Sequence, residues 1–93
     1  MAELTIDVES DTHAYLCTVT VTENDTETTH RVTVNKTDYE RLTDGEVPPE
    51  ALVRASFEFL LEHEPKESIL SSFDLMTIQR YFPGYVSEIT DRL

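Results

Sequence analysis

Glycine is nearly missing from this chain. Gly45 and Gly84 are the only two in 93 residues, and they stand far apart. Neither G-x-G-x-x-G nor G-x-x-x-x-G-K-[ST] can be written anywhere, so a glycine-rich cradle for nucleotide phosphates is excluded. The one cysteine, Cys17, has no partner for an internal disulfide, which fits a reducing compartment or indifference to redox state. No stretch approaches the roughly 20 apolar residues that span a bilayer. The N-terminus alternates acidic and apolar residues, unlike the basic start and apolar run of an export signal. The expectation is a cytoplasmic protein with no membrane partner. Lysine is scarce as well, with only Lys36 and Lys66.

Acid is abundant. Nineteen Asp and Glu stand against 7 Lys and Arg, for a formal net charge of −12. At 39% hydrophobic and 9% aromatic residues the chain is apolar enough to fold, so the excess marks a charged surface rather than a disordered acidic tail. The acids are dispersed along the whole length and accompanied by 13 threonines, a style that resembles the proteins of salt-loving archaea. At about 1 M salt the Debye length falls to roughly 3 Å, so like charges on a surface cease to repel one another. Salt is therefore expected to stabilise the fold.

The length argues for a single domain over 1–93, with a β-meander in 1–35 and a helical part in 36–93. Leu4, Ile6 and Val8 alternate with Glu3, Thr5, Asp7 and Glu9, as in a half-buried strand. Tyr15, Cys17, Val19 and Val21 continue the apolar face, with Thr18, Thr20 and Thr22 opposite. Asn24-Asp25 suits a two-residue hairpin loop, because Asn and Asp tolerate positive φ. That loop sets Val19 opposite His30, Cys17 opposite Val32 and Tyr15 opposite Val34. The other face, with Thr5, Asp7, Thr29, Arg31 and Thr33, reads as solvated.

Beyond Asn35 the period changes. Thr37 to Glu40 fits a capping box for a short helix that Gly45 stops. Pro48-Pro49 opens a longer helix that runs to about His63, before Glu64-Pro65. Its apolar residues Leu52, Val53, Phe57, Phe59, Leu60 and Leu61 wrap around more than one side, so it needs cover from two directions. Ser68 or Glu67 suits the next helix start, and Asp74 is a good N-cap for a further helix carrying Leu75, Ile78 and Phe82 on one face. Val86, Ile89 and Leu93 share a face in the tail. The expected fold is α+β: a three-stranded antiparallel β-meander, β-β-β-α-α-α, with helices packed on one face.

Over Arg54 to Pro83 the sequence reads R-A-S-F-E-F-L-L-E-H-E-P-K-E-S-I-L-S-S-F-D-L-M-T-I-Q-R-Y-F-P. It resembles a family of small, uncharacterised prokaryotic proteins that share S-F-E-F-L-L-E-x-E-P-K-E-S-I-L-x-x-F-D-L and I-x-x-Y-F-P, here in an acidic, halophilic-archaeal version. The close match covers about a third of the chain. The resemblance implies a complete domain and brings no activity, cofactor or catalytic residue with it.

Catalysis finds little footing in the residues. His13, Cys17, His30 and His63 have no zinc-ligand spacing, and positions 13 and 17 on one strand lie roughly 13 Å apart. A buried cysteine beside a hydrogen-bonded histidine is the expectation there. Ser68, Ser71 and Ser72 lack the glycines of a nucleophile elbow. No enzymatic role, cofactor or small-molecule substrate is expected.

Two functional readings remain. The first is a non-catalytic interaction or accessory domain for a protein partner or a second copy as a homodimer, with a contact surface at Lys66, Ser68, Ser72, Arg80, Tyr81 and Tyr85, or alternatively at a sheet edge or the polar sheet face. The second is a nucleic-acid-binding regulator that uses 65–81 as a helix-turn-helix-like segment, with Thr77, Gln79 and Arg80 as contacts. It is the weaker of the two. One arginine neutralises little phosphate, and a chain of −12 is repelled by nucleic acid.

Overall fold

The structure is a computed structural model that describes residues 2–93; Met1, at the head of the first alternating run, lies outside them. Three antiparallel strands come first: β1 (Glu3–Ser10), β2 (Ala14–Glu23) and β3 (Thr26–Asn35). Two helices follow, α1 (Lys36–Thr43) and α2 (Pro49–His63), and a single 3-10 turn over Lys66–Ser68. A short strand β4 (Ser72–Asp74) then precedes α3 (Thr77–Tyr81) and α4 (Tyr85–Arg92).

The hairpin forms at Asn24 and Asp25, which both take positive φ (55° and 63°). That is the twist a two-residue loop needs to match the twist of its strands. The register follows from it: Val19 pairs with His30, Cys17 with Val32 and Tyr15 with Val34, while Ile6 lies opposite Val19 in β1. Ile6, Cys17, Val19, Val21, Val32 and Val34 are all buried on one face. The opposite face is open, and Leu16 stands on it, 44% exposed, between Glu9 and Thr33.

The sheet has four strands and is mixed, where three antiparallel strands were expected. β4 lies parallel to β3 in the order β1-β2-β3-β4, with Phe73 opposite Val32. Strand pairing thus returns to the sheet from inside the stretch expected to be helical. Ser72-Phe73-Asp74 is too short to show a period of two, and its partner lies some 40 residues earlier, so neither signal is local.

Three caps also differ from expectation. Asn35, in extended conformation, is the residue that caps α1, and no Thr37 cap bond forms. Glu67 and Ser68 belong to the 3-10 turn and begin no longer helix. Asp74 ends β4 instead of capping a helix; its Oδ1 accepts from the Met76 amide (3.0 Å), its Oδ2 accepts from Asn35 Nδ2 (3.2 Å), and α3 begins after Met76. At the end of α1, Asp44 and Gly45 are both left-handed (φ 56° and 72°), so the helix stops where glycine was expected to stop it.

Helix α2 is covered from two directions. Phe57 packs toward the sheet, its ring 5.5 Å from the His30 ring and 6.1 Å from Phe73. Phe59 faces the C-terminal helices, 5.7 Å from Phe82 and 5.6 Å from Tyr85. No helix among the described residues is long and apolar enough to cross a membrane.

Candidate functional site

An apolar groove of about 160 Å³ opens between the end of α2, the chain leading into β4, and α3. Its floor is Leu60, Ile69 and Ile78, all buried, with Phe73 and Phe82 half-buried beside them. Two large apolar side chains stand on its rim and face water: Tyr81 is 67% exposed and Leu70 47%. Glu64, Ser68 and Thr77 supply the polar part of the lining. Isolated exposed hydrophobics are ordinary; here two of them border one apolar depression.

The rim is held in place by backbone and side-chain bonds. His30, 2% exposed, has Nδ1 2.8 Å from the Leu70 carbonyl oxygen and Nε2 2.8 Å from Thr28 Oγ1. The carbonyl can only accept, so Nδ1 carries the hydrogen and donates to Leu70. The Arg31 amide donates to the Ser71 carbonyl at 2.8 Å. Two consecutive carbonyls, those of Leu70 and Ser71, are therefore tied to β3, and the exposed Leu70 side chain is presented from the backbone they hold. On the other rim, Gln79 Nε2 donates to the Pro83 carbonyl (2.9 Å), and Gln79 Oε1 accepts from the Val86 amide (3.1 Å). These two bonds fix the turn between α3 and α4 and hence the end of α3 that carries Tyr81.

The expected contact residues divide. Ser68, Thr77 and Tyr81 meet at the groove. Ser72 and Arg80 are exposed on the adjoining β4 and α3. Lys66 and Tyr85 do not belong to any surface, which corrects the expectation for both. Lys66 is only 4% exposed, with its Nζ bound to the Glu67 carboxylate, which that bond holds below the usual carboxylate range. Tyr85 is fully buried. Ser56 Oγ donates to the Leu52 carbonyl (2.8 Å), so the Tyr85 hydroxyl donates to Ser56 Oγ (2.6 Å). Burial pushes the Tyr85 phenol up to about 12, against the opposing effect of that bond.

Segment 65–81 is a 3-10 turn, a strand and a helix of five residues, not two helices joined by a turn. The helix-turn-helix-like arrangement is therefore absent, because β4 pairs with β3 where a first helix was expected. Of Thr77, Gln79 and Arg80, the first lines the groove, the second clamps the α3–α4 turn, and Arg80 alone is exposed.

Leu70 and Glu64 were not singled out by sequence reasoning. No local pattern announces Leu70: its exposure follows from Ile69-Leu70 running as extended chain into β4, where adjacent residues point to opposite sides, and β4 itself has no sequence signature. Elsewhere, burial pushes the Cys17 thiol up to about 11, which keeps it protonated on the core face. No group of three or more His, Cys, Asp or Glu among the described residues is arranged to hold a metal ion. A broader polar depression between the start of β1 and α2 includes Glu62 and Arg92, already joined to each other at 2.7 Å. Comparison of the chain with protein-family models, with curated proteins and with solved structures found no match.

Proposed function

We propose that this chain is a small, non-catalytic interaction or accessory domain that docks a large apolar side chain of a protein partner in the groove between β4 and α3. The partner is another protein or a second copy of the chain. The observation that carries the reading is the pair Leu70 and Tyr81, exposed on either side of an apolar depression whose rims are both tied down by hydrogen bonds. A preformed site loses little entropy on binding, and burying one large aliphatic or aromatic side chain contributes about 1.5–3 kcal/mol. The acid-rich surface fits a salt-rich cytoplasm, and the segment resembling the small prokaryotic family contains every residue that lines the groove.

Photo-crosslinking in the cells that make the protein tests the docking surface. With p-benzoylphenylalanine at position 81, a discrete protein adduct is expected, and it should vanish when Leu70→Asp is added. The same probe at Thr18, on the open sheet face, should give none. Adducts from position 18 alone, or none from position 81, would overturn the reading.

A further inference from the structure

Three carboxylates surround the end of α2 and the turn that follows it: Glu62, Glu64 and Glu67. Two are already engaged, Glu62 by Arg92 at 2.7 Å and Glu67 by Lys66. Glu64 is half-buried, lines the groove, and pairs with no cation among the described residues. It is the one carboxylate in a lining whose other members are apolar or neutral. A carboxylate at the edge of an apolar depression feels a lower dielectric than one in open water, so a cation beside it is attracted more strongly and screened less by salt.

We infer that the occupant of the groove is a segment of another protein in which a large apolar side chain stands next to a lysine or arginine, the apolar group seated between Leu70 and Tyr81 and the cation closing on Glu64. The inference rests on the docking reading above and names the partner's chemistry. The two parts of such a segment match the two parts of the site: the floor takes the side chain, and Glu64 takes the charge. In dilute salt the net charge of −12 favours a basic partner over a second copy, which carries the same charge; at molar salt that long-range term is screened, and the match at Glu64 carries the preference. Glu64 likewise disfavours a phosphate or a carboxylate at that edge of the groove.

Panning a library of random peptides against the folded chain in molar KCl tests this. Enriched peptides should carry a large apolar residue with Lys or Arg within one or two positions. Their binding should be lost in Leu70→Asp and weakened about three- to tenfold in Glu64→Gln, a near-isosteric change that leaves the fold intact. Peptides that bind at the groove but bind Glu64→Gln equally well would overturn the charge match and spare the docking reading. Peptides indifferent to Leu70→Asp, or no enrichment at all, would overturn both. Sedimentation showing a dimer that Leu70→Asp dissociates would make the occupant a second copy and overturn the inference.

Discussion

Ser56 and Tyr85 show how a single polar pair is made tolerable inside this core. The Tyr85 hydroxyl is buried and donates to Ser56 Oγ, whose own hydrogen goes to the Leu52 carbonyl. Ser56→Ala strands the tyrosine hydroxyl without a partner and should cost about 1–3 kcal/mol, whereas Tyr85→Phe leaves the serine bonded and should cost about 1 kcal/mol. Ser56→Ala with Tyr85→Phe should cost less than the two together, because nothing polar is then orphaned. Urea denaturation of the four proteins gives the cycle, and strict additivity would contradict it. The same pair shows a boundary of sequence reasoning. Tyr85 next to Pro83-Gly84 looks like a surface aromatic, and only its long-range contact with Ser56 and Phe59 decides otherwise. Lys66 is the sharper case: lysine is almost never fully buried unless paired, and its partner is the adjacent Glu67.

The strands and the long helix were the most legible elements, because each writes its own period into the sequence. β1, β2, β3 and their register follow from alternation and from two residues at the hairpin, and the second of these offers a check. Asp25 holds φ at 63°, which costs an L-residue other than glycine. Asp25→Gly should raise stability by about 0.5 kcal/mol or more, and Asn24→Val should lower it by about 1–2 kcal/mol. Thermal melts of both variants decide; opposite signs would mean that the loop is not the two-residue turn. The illegible element is β4, three residues long and paired in parallel with a strand distant in sequence. The groove inherits that obscurity. Its walls come from the end of α2, the 3-10 turn, β4 and α3, and no local pattern announces that these four meet. What the sequence did single out was Ser68 and Tyr81 for a protein contact and Thr77 for a nucleic-acid contact, and all three line it.

For the molecule as a whole, charge and shape divide the work. The acids are dispersed over the chain, while the groove lining holds one. Repulsion among exposed carboxylates is relieved by salt, so the melting temperature should rise steadily from dilute buffer to molar KCl, and a flat profile would argue against adaptation to salt. Docking at an apolar site should survive the same salt, since hydrophobic burial is not screened. Amide-shift titration of the isotopically labelled chain with N-acetyl-leucinamide and N-acetyl-phenylalaninamide in molar KCl tests the central claim most directly. The account predicts shifts concentrated at Leu60, Ile69, Leu70, Phe73, Ile78 and Tyr81, and their loss in Leu70→Asp. Shifts confined to the open face around Leu16, Thr18 and Thr20, or none at the groove residues, would contradict it.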